Sequence, residues 1–118
     1  MSGDSPIRRG DVYWVVPDGS EHPHPHVVVQ DDVFNDSRLS TVIVCALTSN
    51  PHRATEPGNV ALDPGEGGLP KPSVVVVSQI ASFERARLGE RLGALSDARV
   101  EQILDGLRFQ QRAFLRGR

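Results

Sequence analysis

The amino-acid sequence predicts a mainly β domain, a small partly open barrel trimmed with helix, and three observations predict it. Short β-branched runs recur between Gly- and Pro-rich breaks from residue 11 to residue 95, the pattern of an antiparallel sheet that closes or half-closes on itself. A single amphipathic helical repeat follows them at the C-terminal end. Between the runs there is no helical stretch long enough to build parallel βαβ crossovers. No internal repeat and no long linker divides the 118 residues, so the chain is read as one domain, 1–118.

Each element has its own local reason. Asp11–Val16 is β-branched and aromatic, bounded by Arg9-Gly10 and Pro17-Asp18-Gly19, and reads as a strand followed by a turn. Val27–Val29 is a second short strand, entered through His22-Pro23-His24-Pro25. Asp31–Ser37 is either one helical turn or a tight loop. Thr41–Leu47 is apolar without alternation, as expected of a central strand covered on both faces. Residues 50–73 are dense in Gly and Pro, and within them Asn59–Leu62 reads as an edge strand. Val74–Ile80 is the next strand, and Leu88–Leu95, relieved by Gly89 and Gly93, is a bent one. Ser96 is placed as the N-cap of a helix over about 97–115, with Val100, Ile103, Leu104, Leu107, Phe114 and Leu115 as its apolar stripe. Phe109 falls off that stripe; it is assigned to the core, with a protein contact as the alternative.

Composition narrows the function classes. A single Cys excludes a disulfide framework and any zinc site built on cysteines. The apolar runs Val42–Leu47 and Val74–Val77 are too short to span a bilayer, and Met1–Gly10 lacks the apolar centre of a signal peptide. A soluble protein of a reducing cytoplasm, without a membrane partner, is therefore expected. The formal charge of −2 conceals an asymmetry: residues 1–84 carry five basic and eleven acidic side chains, residues 85–118 eight Arg and four acidic ones. Most of these Arg are expected on a solvated, ion-paired helix face. The mildly acidic total argues against non-specific coating of nucleic acid while permitting contact with a short anionic segment.

Three stretches carry chemistry. In His22-Pro23-His24-Pro25-His26 the prolines favour extended backbone, so the three imidazoles are expected at a period of two, pointing the same way. Metal ligation, plain surface polarity and acid–base work by one His are all open readings, although no second ligand cluster is evident. Thr48-Ser49-Asn50 ends the most apolar strand; its hydroxyl and amide groups either donate to an oxyanion or phosphate at a barrel rim, or cap their own turn. Glu66-Gly67-Gly68-Leu69-Pro70-Lys71-Pro72-Ser73 has glycines for close backbone approach but not the spacing of a phosphate loop, which argues against nucleotide hydrolysis. Neither a nucleophile elbow nor a zinc-protease helix motif is present.

The order of segments is more specific than any one of them. Arg9-Gly10-Asp11-Val12-Tyr13-Trp14-Val15 is followed by His24-Pro25-His26-Val27-Val28-Val29, then by Asn35–Val44 and Leu47-Thr48-Ser49-Asn50. Pro57-Gly58-Asn59-Val60, Glu66–Lys71, Ser73–Ile80, Arg87-Leu88 and Leu92–Ser96 complete the series before the helix. Over about residues 8–115 this series resembles the MazF/PemK family of toxin endoribonucleases from type II toxin–antitoxin systems. The resemblance implies an SH3-like barrel of the PemK/CcdB toxin type with a C-terminal α-helix, working as a homodimer and bound by a cognate antitoxin. It also implies sequence-specific cleavage of single-stranded RNA with no metal or other cofactor, by 2′-hydroxyl attack that leaves a 2′,3′-cyclic phosphate and a 5′-hydroxyl.

The resemblance further implies a site. Family members pair an Arg, just before the Pro of the x-Pro-x-Val-Val block, with a Thr or Ser after the central strand. The Thr is matched by Thr48, while the position of the Arg holds His24, after a shortened Glu21-His22-Pro23 loop. His24 and Thr48 are the expected catalytic pair, with Glu21, Ser49, Asn50 and Gln79 as RNA-binding or supporting residues. An imidazole is suited to acid–base work but cannot hold a permanent bidentate charge on phosphate as a guanidinium does. The alternative expectation is a catalytically impaired toxin-fold module that binds an antitoxin peptide; inhibition of DNA gyrase, the work of a related fold, is a third.

Overall fold

The computed structural model describes residues 6–116. Six strands, β1 (Asp11–Val15), β2 (His24–Val28), β3 (Thr41–Thr48), β4 (Val60–Leu62), β5 (Ser73–Glu84) and β6 (Leu88–Ala94), are joined by the one-turn helix α1 (Asp32–Asn35) and followed by α2 (Asp97–Arg116). They form one antiparallel sheet in the order β4-β5-β3-β2-β1-β6. The sheet curls so that each face buries its own apolar set. Val12, Val27, Cys45, Leu47, Val75 and Val77 pack beneath Ile103 and Leu107 of α2, while Tyr13, Val15, Val28, Val42 and Val44 pack on the other face. Alternate residues of one strand serve opposite cores, which is the period of two expressed as packing.

The structure differs from the sequence reading in four places, each with a physical cause. β2 begins at His24, because the ladder to β1 already pairs Val15 with His24; two prolines do not prevent pairing at a strand's first residues. β5 continues past Ile80 to Glu84, carried by pairing of Val42 with Phe83 and Thr41 with Glu84 rather than by β-branched residues. The central strand β3 is not covered on both faces: Ile43 is 38% exposed. Phe109 is 48% exposed and is not core, as its position off the stripe of Val100, Ile103, Leu104 and Leu107 dictates. Phe114 and Leu115 lie outside the residues whose side chains are described. Ser96 does cap α2, its hydroxyl accepting from the Arg99 amide at 3.2 Å.

The open end of the barrel is closed by the 3-10 turn Glu66–Gly68, which follows β4 and lies on β6. Gly68 has φ +77°, and a Cβ there would stand 2.0 Å from the Leu92 carbonyl oxygen; a Cβ on Gly93 would stand 2.8 Å from the Gly67 carbonyl carbon. Only glycine permits this backbone-on-backbone contact. Arg99 of α2 locks the same turn, donating from Nε and Nη2 to the two carboxylate oxygens of Glu66, both at 2.9 Å. That hydrogen bonding holds the Glu66 carboxyl below the usual carboxylate range.

The contact generates a stability prediction. Gly68→Ala should cost about 2–4 kcal/mol, combining a left-handed backbone with a displaced neighbour. Gly19→Ala, also at positive φ (+79°) but with nothing within 4 Å of its Cβ, should cost about 1 kcal/mol. Urea denaturation of the two variants beside the parent measures the difference; equal losses would mean that the turn is not packed against β6 as described.

Candidate active-site groove

Register builds the site. β2 and β3 pair His26 with Ala46, Val27 with Cys45 and Val28 with Val44. Continued by two residues toward the strand ends, the same register faces His24 with Thr48, on the sheet face shared by Val28, Val42 and Val44. The ladder ends there, so the two polar side chains stand at the barrel's mouth instead of within the core. Both line a groove of about 490 Å³. Trp14, which pairs with Pro25 across β1 and β2, forms part of its wall, and Leu47, Leu69 and Leu92 add apolar surface. Ser49 continues from Thr48, and the segment Gly68–Lys71 with Ser73 closes the rim.

Of the residues singled out from the sequence, the groove thus gathers His24, Thr48 and Ser49. Glu21 lies exposed in the bend before β2 and does not line it. Asn50 is turned to local work, its side chain accepting from the His52 amide at 3.1 Å as the cap of the 3-10 turn Pro51–Thr55. Gln79 is exposed on β5 and outside the groove lining. Two residues that the sequence reading did not assign to the site, Trp14 and Lys71, belong to its wall. Trp14 was hidden inside an ordinary strand pattern. Lys71 carried a signal, as the only lysine in a chain with twelve arginines.

The three imidazoles do not act as a set. His22 is outside β2, in a bend, and His24 is exposed. His26 is 4% exposed, and its ring meets the edge of Phe83 at 5.6 Å between centroids and 80° between planes. Its Nδ1 lies 2.9 Å from the His24 carbonyl oxygen. His24 and His26, two apart in β2, keep one face as the period of two requires but differ in depth, exposed at the strand's start and buried beside Val28 and Val44, while His22 lies outside the strand. Among the described residues no three His, Cys, Asp or Glu side chains are grouped as a metal site requires. Cys45 is buried, and desolvation pushes its thiol up to about 12, so it is no nucleophile at neutral pH.

Much of the charge on β6 and α2 is already neutralised. Arg91 of β6 pairs with Asp11 at 3.1 Å, Arg99 with Glu66 at 2.9 Å, Arg87 with Asp18 at 3.0 Å and Arg108 with Asp105 at 2.8 Å. Four of the eight Arg of residues 85–118 are thus ion-paired.

This architecture, a six-stranded curled sheet with a C-terminal helix, is shared with solved endoribonucleases. A mycobacterial endoribonuclease solved in complex with its cognate antitoxin aligns with a TM-score of 0.73 over 89% of this chain and 93% of that one, at 26% identity. MazF from Deinococcus radiodurans aligns with a TM-score of 0.73 over 92% of this chain and 98% of that one; at 19% identity it speaks to the fold alone. Residues 8–110 match the profile of the PemK-like, MazF-like toxins of type II toxin–antitoxin systems. Endoribonuclease MazF6 of Mycobacterium tuberculosis and endoribonuclease MazF2 of Mycobacterium bovis are each 37% identical over 107 residues, covering 86% of this chain and 94% of the relative. The chain belongs to the PemK-like, MazF-like toxin family.

His26 gives the fold a measurable pH dependence. Burial lowers its pKa below the ordinary imidazole value, so the unfolded chain binds the proton more readily than the folded one. The stability that His26 allows is full above about pH 6.5 and falls as the pH drops through and below that value. Thermal melts should therefore weaken between about pH 7 and pH 5 in the parent, and His26→Gln should flatten that decline. An unchanged slope would assign the loss to other groups.

Proposed function

We propose that this toxin is an endoribonuclease that cuts single-stranded messenger RNA at the groove holding His24 and Thr48. The observation that carries the reading is the meeting of these two side chains, 24 residues apart in sequence, in one groove at the end of the β2–β3 ladder. His24 takes the proton of the ribose 2′-hydroxyl; the 2′-oxygen bonds to phosphorus while the bond from phosphorus to the 5′-oxygen breaks, and the leaving oxygen is protonated by the imidazolium or by water. The products are a 2′,3′-cyclic phosphate and a 5′-hydroxyl. Thr48 donates its hydroxyl to a non-bridging phosphate oxygen, with Ser49 beside it. Each atom of the step is supplied by RNA, protein and water, so no metal is assigned a role.

The groove's lining supports an unpaired strand. Trp14 offers an aromatic surface on which one base can stack, a recognition mode available only to bases out of a duplex. Glu21 and Gln79, exposed beyond the groove proper, would meet flanking nucleotides. The proposed partners are a cognate antitoxin, whose acidic segment would occupy the groove in place of RNA, and a second copy of the chain. The apolar side chains left open on β3, β5 and the α1 region, Ile43, Ile80, Phe34 and Leu39, support the pairing of copies. Among the described residues no helix is long and apolar enough to cross a membrane, and the proposed place of action is the cytoplasm, where messenger RNA is met.

Incubation of the purified protein with a mixed-sequence transcript in EDTA tests the reading. Fragments ending in cyclic phosphate are expected. Thr48→Ala and His24→Ala should each slow cleavage by about 10²-fold or more, without loss of folding. Absence of cleavage by the parent, with retained binding of an antitoxin peptide, would favour the impaired binding module instead.

A further inference from the structure

We propose that Lys71 is the residue that holds the charge of the scissile phosphate; this rests on the endoribonuclease reading of the groove. Transfer to the 2′-oxygen passes through a phosphorane with more negative charge than the starting diester, and a fixed cation aimed at it is among the largest contributions a site can make. Imidazole does not supply a permanent charge, and a threonine hydroxyl supplies none. Among the described residues, Lys71 alone brings a permanently charged side chain to the groove lining. Among the described residues no carboxylate lies within ion-pairing distance of it, whereas Arg91 and Arg99 on the neighbouring elements are committed to Asp11 and Glu66.

The backbone under Lys71 is unusually constrained for a loop. Gly68 is seated on the Leu92 carbonyl, Leu69 is buried, and Pro70 and Pro72 fix φ on either side. Ser73 then donates its hydroxyl to the Lys71 carbonyl at 3.1 Å. A long flexible side chain rooted in a fixed backbone can reach a phosphate oxygen in both the ground state and the transition state while its anchor stays still. The ammonium acts as a point charge with rotatable donors. Lys71 exchanges no proton in the step: it stabilises charge, and His24 moves the proton. This arrangement divides between two residues what one guanidinium could otherwise hold.

Three variants and two readouts decide the matter. Single-turnover cleavage of a mixed-sequence transcript in EDTA is measured for the parent, Lys71→Met and Lys71→Arg, and binding of a single-stranded DNA of equal length, which lacks the attacking hydroxyl, is measured against salt. Lys71→Met should cleave about 10²-fold more slowly at saturating enzyme, Lys71→Arg should recover most of that loss, and the log–log salt slope for DNA binding should fall by about 0.7 in Lys71→Met. An unchanged salt slope, or cleavage by Lys71→Met within about threefold of the parent, overturns the assignment. Failure of the parent to cleave overturns the endoribonuclease reading instead, and the salt slope still decides whether Lys71 meets the phosphate. Circular dichroism and melting of Lys71→Met, whose side chain is exposed, exclude misfolding as the cause.

Discussion

The structure depends on one close contact: the turn at Gly67-Gly68 resting directly on the backbone of β6 at Leu92-Gly93. The sheet order leaves β4 and β6 as its two edges, and the turn after β4 is what reaches the far edge. Without it the strands would form an open curl with an exposed edge. With it, the following segment Leu69–Ser73 is carried across the strand ends and becomes one wall of the groove. The bidentate pair of Glu66 and Arg99 then ties that wall to the terminal helix. Fold closure and site assembly are the same event.

This economy explains why the glycines in that stretch do not behave as a phosphate loop. Their lack of side chains is consumed by contact with protein backbone, and positive charge reaches the groove from the lysine three residues later. The polar residues of the site come from strand ends, where the ladder has stopped and side chains are no longer required by the core. Thr48 is partly buried while Cys45 and Leu47 behind it are buried, so one strand passes from packing to chemistry within a few residues.

The strands were legible because β-branched runs and Gly/Pro breaks report local backbone preference directly, and the helix because its stripe repeats at the right spacing. Strand ends were less legible: β5 is extended through Ala81-Ser82-Phe83-Glu84 by pairing with β3, a long-range influence that local composition does not carry. The proposed catalytic pair was visible only through the resemblance of ordered segments, and the β2–β3 register brings its members to one groove. Trp14 and Lys71 escaped because groove membership depends on which loop crosses which strand end. The His run kept one face only within β2: His22 lies in the bend before the strand, and His26 is buried against Phe83 while His24 is exposed.

A chain with a single lysine has a practical property that follows from where that lysine stands. Amine-directed reagents, cross-linkers and sensor-chip coupling find one side-chain address besides the amino terminus, and that address is on the rim of the groove. Coupling through that lysine would turn the mouth inward and block access, so attachment through an appended tag is the orientation that leaves the groove open to solution.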